Sequence, residues 1–593
     1  MSKHWNLNDI LDPSEYPKHI GEIKSGLSVF KDKLVMGIDP KMVDSTFRDL
    51  VASNEKLLEQ LEKLYAYPSL KLSVEQDNKE ANYQMSLVKN LINEYEDIVR
   101  PFNHWIKGLD SQKWKKLDEE NARRLFASMP KLEYHFTEMR RLAKRSLSEK
   151  EEEIITKKSL NGVSVLNDLR SLFETDQRYK YTDPLSKKVL TINTVAELMK
   201  KVYDQNPDVR RNSYKALFAQ YKKHQQKYFM IYESVIKDWN DEMKWRHYDF
   251  PVSIRNEAND MSDLAVDKLI NVCQENQYIF NEFFEYKARL LNMKKLTRYD
   301  LYVPVNLAKE KDVAYEKAEK AVMEVFANFD QDFYMHARSI IEGDHIDKFP
   351  SKKKHPGAFC APITPKIKPY ILLNYAGQER DMLTMAHELG HAVHFCFSER
   401  QTVSTQMAPL TLAETASTFA EMLVFDYLYE REVDTAVKKQ MLISKLSETY
   451  ATINRQIQFV SFEKQAHEAV VNGISLPDFN QLYFHGLRDH FKDSVVVPDV
   501  FKYEWTYIPH IVNSPFYCYS YAFGELLAFA LYKEYKKKGN GFVRNIKNIL
   551  EAGGSENPTQ LLKNNGIDIT KEGFWQEGFA TIREWLDELV QIS

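Results

Sequence analysis

The stretch Asp381-Met-Leu-Thr-Met-Ala-His387-Glu388-Leu-Gly390-His391-Ala-Val-His394 decides how the rest of this sequence is read. Its apolar residues recur at helical spacing, and positions four apart on an α-helix share a face one turn up. His387 and His391 can therefore present imidazole nitrogens to one zinc ion at about 2.0–2.1 Å. Glu388 follows the first of them, where a carboxylate can take a proton from water and later hand it to a leaving amine. His-Glu-x-x-His on a helix thus points to metal-assisted hydrolysis. Gly390 costs about 1 kcal/mol relative to Ala inside a helix, so a close packing neighbour is expected there.

Zinc needs a third protein ligand. His394 shares the helix face but lies about 10 Å along the axis from His387, too far for one metal, and reads as a supporting or structural histidine. The remaining option is a carboxylate on a second helix, and Thr411-Leu-Ala-Glu414-Thr-Ala-Ser-Thr-Phe-Ala-Glu421-Met-Leu-Val424 supplies one. Glu414 sits among Leu412, Ala413, Ala416 and Phe419, which argues against a solvated surface charge. Glu421 falls on the same face two turns away, where it can orient a ligand imidazole. The expected set is His387, His391 and Glu414 around one zinc per chain, with Glu388 as general base.

A third segment runs Trp505-Thr-Tyr-Ile-Pro-His510-Ile-Val-Asn-Ser-Pro-Phe-Tyr517-Cys-Tyr519-Ser-Tyr521-Ala-Phe-Gly524. A tyrosine hydroxyl or a histidine N–H can stabilise the oxyanion formed in amide hydrolysis. On a helix Tyr517 and Tyr521 would share a face, with Tyr519 opposite. An aromatic core stripe is the competing reading, and composition alone favours it. Upstream, residues 357–375 form a β-like patch, with Pro362, Pro365 and Pro369 keeping any strands short or at an edge. It ends just before the His-Glu helix. It reads either as an edge strand that could hold an extended peptide or as a plain structural hairpin.

The 593 residues are more than one core needs, so at least two packed units are expected. Apolar residues at 43% and charged residues at 28% describe a folded chain, and only 19 glycines favour a mainly α fold. From Asp44 to about Arg145 the pattern is helical, with Leu50, Leu57, Leu58, Leu61 and Leu64 marking a buried stripe. Residues 178–192 read as a small hairpin; helices resume at Val195, and Asp204 to about Asn240 reads as a helical pair. These breaks divide the chain into an N-terminal helical lobe, 1–194, and a catalytic domain, 195–593. A net charge of −4 offers no field for nucleic acid. Lys352-Lys353-Lys354 reads as a solvated loop, and Lys536-Lys537-Lys538 before Gly539 as a charged last helical turn. Cys273, Cys360, Cys396 and Cys518 fit neither a paired-cysteine metal site nor a disulfide framework. Reduced thiols point to the cytoplasm. The N-terminus has no apolar signal region, and no run of about 18 apolar residues would span a membrane.

These segments together resemble oligoendopeptidase F, within the thimet-oligopeptidase-like zinc peptidases. The resemblance rests on His387-Glu388-Leu-Gly-His391-Ala-Val-His394, on Glu414 in Ala413–Glu421, on Ile508-Pro509-His510 with the Tyr-rich run to Gly524, and on the patch Gly357–Cys360 with Leu372–Tyr375. Weaker similarity covers about Val195 to the end and reaches into the N-terminal helical region. The resemblance implies a two-lobed, mainly helical metallopeptidase enclosing a deep substrate channel, with a small β-patch beside the active site. It implies cleavage of internal bonds in oligopeptides rather than folded proteins. It assigns zinc to His387, His391 and Glu414, base duty to Glu388, and transition-state contacts to His510 and tyrosines within 517–521. Tyr521 carries over best. The relatives' second tyrosine stands three residues earlier, where this chain has Cys518, so Tyr517 is taken as its counterpart with Tyr519 left open. A metallocarboxypeptidase would need a basic group such as Arg455 or Arg488 for the substrate C-terminus. A peptide binder without activity would have lost Glu388 or a ligand, and none is lost.

Overall fold

A computed structural model describes residues 4–110, 113–308 and 311–592. The fold is mainly helical, with a few strands of two to four residues. The chain forms two compact units that interleave along the sequence: 1–145, 310–430 and 531–568 make the first, and 146–309, 431–530 and 569–593 the second. Residue 194 thus falls inside the second unit; a division by packing and one by sequence pattern cut the chain differently.

The first unit begins with three long helices, Tyr16–Val35, Asp44–Val74 and Lys79–Ile106. Asn78 caps the third by accepting from the Ala81 amide at 2.9 Å. The leucine stripe faces inward as its spacing demands: Leu50, Leu57, Leu61 and Leu64 are buried and Leu58 is partly so. They share a core with Phe30, Val88, Phe102 and Trp105 that continues onto Tyr370 and Leu372. Those two residues belong to a three-stranded sheet in which Tyr370–Leu372 is central, paired parallel to Ile346–Asp347 and antiparallel to Phe359–Ala361. The expected hairpin pairs Phe359 with Leu372 and Ala361 with Tyr370. Its third strand, two residues long, is too short for any periodic signal.

Lys354 departs from the solvated loop expected of the lysine run. Its ammonium is buried, pairs with the fully buried Asp347, and donates to the carbonyls of Phe349 at 2.8 Å and Leu373 at 2.5 Å. A carboxylate inside a sheet layer needs a counter-charge with its hydrogen bonds filled, and Lys354 supplies it.

In the second unit, Tyr179–Thr182 and Val189–Ile192 form the expected hairpin, with Tyr179 opposite Ile192. In place of the expected helical pair stands one helix of 39 residues, Pro207–Trp245. Asn206 caps it, Pro207 occupies its first turn, and no Gly or Pro interrupts it afterwards. Its inner face buries Tyr214, Leu217, Phe218, Tyr221, Tyr232 and Ile236. The helix Tyr519–Lys538 ends as expected, with three lysines in its last turn and Gly539 at φ +60°. The four cysteines are free. Among the described residues no helix is long and apolar enough to cross a membrane.

The His-Glu helix spans Glu379–Phe397 in the first unit, opened by a capping box between Gln378 and Asp381. Gly390 lies where it meets the helix Thr415–Arg431. A Cβ at Gly390 would stand 2.7 Å from both the Ala416 carbonyl oxygen and the Ser417 Cα. Helix propensity alone would favour Gly390→Ala by about 1 kcal/mol. Overpacking costs about 1–3 kcal/mol, and here the obstacle is backbone that cannot swing aside. Gly390→Ala should therefore lower the midpoint of chemical denaturation. An alanine variant at least as stable as the parent would show that the two backbones are not pressed together.

Candidate metal centre

The second carboxylate segment is not one continuous helix. A short turn of helix, Leu410–Ala413, and the helix Thr415–Arg431 meet at Glu414, whose φ of −86° and ψ of 0° mark the break. The break sits opposite the first ligand pair. Nε2 of His387 and Nε2 of His391 each lie 3.3 Å from the same Glu414 oxygen, Oε2. The two rings stand at 84° with centroids 4.9 Å apart. Among the described residues, this trio is the one cluster of His, Cys, Asp or Glu donors close enough to share an ion, all within 4.8 Å of one another.

A tetrahedral zinc with arms of about 2.0–2.1 Å has edges of about 3.3–3.4 Å. The observed separations between Glu414 and the imidazoles match that edge, so the donor set fits such an ion. Glu421 Oε2 lies 3.5 Å from His387 Nδ1, on the ring's far side from Glu414. Ser417 places its hydroxyl 2.8 Å from Glu414 Oε2 and can donate to it. Nothing in the sequence beyond its place three residues after Glu414 marks Ser417 for this role.

The charges at this site are tightly coupled. Burial would push the His387 imidazole down, yet its hydrogen bonds to Glu414 and Glu421 raise it to about 10. Burial would raise Glu414, yet its two imidazole partners hold it well below the usual carboxylate range. Two carboxylates meeting two half-buried imidazoles favour positive charge at this point, which a divalent cation would supply. Glu388 is itself buried, and burial pushes its pKa up against the opposing pull of His387 and His391. His394 stands apart from the trio. It is buried, and burial followed by the nearby His391 pushes it down to about 4.

The remaining expected residues lie in the second unit. His510 opens a short helical turn, His510–Asn513, and its Nε2 is 3.3 Å from the Tyr521 hydroxyl. The His510 and Tyr517 rings lie parallel with centroids 6.2 Å apart, and Tyr517 meets Tyr521 edge-on at 5.2 Å. All three are half-buried. Tyr519 points away into the core, with its hydroxyl 2.8 Å from Asn259 Nδ2. Burial, then Arg455 and Arg170, lower the pKa of His510, which favours its neutral form.

Fold and site together define a helical protein with a peptidase-type candidate metal centre. The profile of Peptidase family M3 matches residues 199–581, and the chain belongs to that family. It is 26% identical to an oligoendopeptidase F homolog of Borreliella burgdorferi, over 99% of this chain and 98% of the relative. A crystal structure from Chlamydophila abortus superposes with a TM-score of 0.87 at 20% identity, covering 100% of this chain and 99% of the other. That of oligoendopeptidase-F from Enterococcus faecium gives 0.72 at 21% identity, covering 98% and 99%. The oligoendopeptidase F resemblance thus extends over the whole chain, including the N-terminal helical region.

His394 makes a pH-dependent contribution whose sign is fixed. Its folded pKa of about 4 lies below its ordinary value of 6.5, so the folded state holds the ring neutral. That contribution is intact above about pH 6.5 and is lost as pH falls through about 4. The unfolding free energy of His394→Gln should therefore drop less between pH 7 and pH 4 than that of the parent, by up to about 3 kcal/mol. Parallel pH profiles would rule out a neutral buried His394.

Proposed function

We propose that this peptidase is a zinc-dependent oligoendopeptidase, which hydrolyses internal bonds of short peptides. The observation that carries the metal chemistry is the convergence of His387, His391 and Glu414 at tetrahedral-edge spacing. The substrate class follows the oligoendopeptidase F relatives. We assign residues 195–593 to catalysis, with 1–194 as the N-terminal helical lobe, and place the enzyme in the cytoplasm.

His387, His391 and Glu414 would hold one zinc per chain, with Ser417 and Glu421 steadying Glu414 and His387. When bound, zinc would supply a Lewis acid that polarises the peptide carbonyl and acidifies water. Glu388 is the general base: it takes the proton of the attacking water and delivers it to the departing amine. Burial suits it to this work, because a carboxylate whose pKa is raised by burial is a stronger base than a solvated one. Tyr521 donates its hydroxyl to the developing oxyanion, with His510 as its hydrogen-bonded companion and Tyr517 packing both. The strand Phe359–Ala361, at an edge of its sheet, offers backbone groups to an extended peptide.

Two variants test the roles on an internally quenched peptide blocked at both ends, which an endopeptidase cuts and a carboxypeptidase leaves intact. Glu388→Gln should retain metal and fold while kcat falls by several orders of magnitude, because the base is lost and the ligands are kept. Near-normal turnover would sink the mechanism. Tyr521→Phe should lower kcat by about 10²–10³ with KM nearly unchanged, as expected of a donor used only in the transition state. A fully active enzyme with altered thermal stability would return Tyr521 to the aromatic core.

A further inference from the structure

Between His510 and Tyr521 the chain reverses through Ser514-Pro515-Phe516, and this reversal is held from outside. Phe516 adopts φ +58°, in the left-handed region that a bulky aromatic residue seldom enters. Such a conformation persists only where its surroundings over-determine it. The peptide bond just before it supplies the means. Its carbonyl, on Pro515, accepts from Arg255 Nε at 3.1 Å. Its N–H, on Phe516, donates to Glu463 Oε2 at 2.7 Å. One peptide dipole is thus gripped at its negative end by a guanidinium and at its positive end by a carboxyl group. The two come from separate helices, Pro251–Ala258 and Asn454–Val471.

The ring of Phe516 is packed as firmly as its backbone. His467, one turn beyond Glu463, lies 4.7 Å from it, and Trp239 flanks it at 6.5 Å. His467 is fixed by Asn240, 2.8 Å from its Nδ1, and the Arg255 guanidinium lies over the Trp239 ring. Glu463 is fully buried, and its second oxygen, Oε1, has no hydrogen-bond partner. A buried carboxyl in that state is costly to keep for packing alone. Burial pushes its pKa up to about 8, against the opposing effects of the Phe516 N–H and Arg255, so a neutral amide can stand in for it.

We infer that Glu463 and Arg255 are positioning residues for hydrolysis: they lock the Pro515–Phe516 peptide and thereby set the His510–Tyr521 hydrogen bond in its working geometry. Phe516 immediately precedes Tyr517, and both neighbours of the turn are tied into it. The Ser514 amide donates to the His510 carbonyl at 2.8 Å, and the Tyr517 amide to the Ser514 carbonyl at 3.1 Å. A peptide flip at Phe516 would rotate Tyr517 and shift the start of the Tyr519–Lys538 helix that carries Tyr521. The inference rests on the transition-state role proposed for Tyr521.

The test is steady-state kinetics of the zinc-loaded enzyme on the blocked quenched peptide. Glu463→Gln keeps an acceptor of the same shape and should hold kcat within about threefold. Glu463→Met removes the acceptor at similar volume and should lower kcat by about 10–100-fold, the scale of a small misplacement of a reacting group, with KM within about twofold. Combined with Tyr521→Phe, it should add little, because the group it positions is already gone. Undiminished kcat in Glu463→Met, equal losses in the Gln and Met variants, or fully multiplicative losses in the double variant would each overturn the inference. If Glu463→Met does not fold, Arg255→Met, at the half-exposed end of the same peptide, is read by the same criteria with Arg255→Lys as its conservative control. A fully active Tyr521→Phe enzyme would overturn the role of Tyr521, and this inference with it. A slow Tyr521→Phe enzyme beside a fast Glu463→Met enzyme would overturn the positioning alone.

Discussion

The contact on which the candidate centre depends is one of backbone against backbone: Gly390 against Ala416 and Ser417. Because a glycine stands there, the helix carrying His387 and His391 can approach the helix carrying Glu414 and Glu421 to within 2.7 Å of where a Cβ would sit. Imidazole and carboxylate side chains have fixed lengths. Only at this separation do two Nε2 atoms converge on a single carboxylate oxygen at 3.3 Å. The helix loses roughly 1 kcal/mol of intrinsic propensity at Gly390, and the close crossing is what that loss allows.

Electrostatics then follows from burial. Glu414 and Glu421 reach His387 from its two nitrogens, and their hydrogen bonds raise its pKa to about 10 against the opposing effect of burial. The same low-dielectric surroundings act oppositely on residues without such partners, raising Glu388 and lowering His394. One helix thus carries groups whose proton affinities are pushed in different directions by burial and by the partners each one meets. Acid–base work and ligand work need that separation.

Much of this was open to sequence reading because helical periodicity is a strong constraint. Residues four apart on a helix must share a face, so the pairing of His387 with His391 follows from spacing; Tyr517 meets Tyr521 from the turn that precedes the helix Tyr519–Lys538, not from one shared helical face. The leucine stripe and the hairpin at Tyr179–Ile192 follow from the same kind of regularity. What escaped depends on tertiary partners. Lys354 looks like a surface lysine until Asp347 is found buried beside it. The helix break at Glu414 has no Gly or Pro to announce it, and Ser417 is an ordinary helix residue until its hydroxyl meets a carboxylate. A single helix of 39 residues, Pro207–Trp245, is far longer than the roughly three or four turns usual in globular proteins, so a pair is the commoner expectation for its segment. The grip on Phe516 joins residues 255, 463 and 515–516, which no local pattern relates.

The proposed chemistry stands or falls on whether His387, His391 and Glu414 form a zinc site. X-ray absorption at the zinc edge, on protein purified without added metal and assayed for metal content, tests it most directly. One zinc per chain is expected, with two imidazole nitrogens and oxygen neighbours at about 2.0–2.1 Å, and loss of the imidazole signal when His387 and His391 are both replaced. A protein that retains no zinc when supplied with it, or a shell containing sulfur at about 2.3 Å, would contradict it.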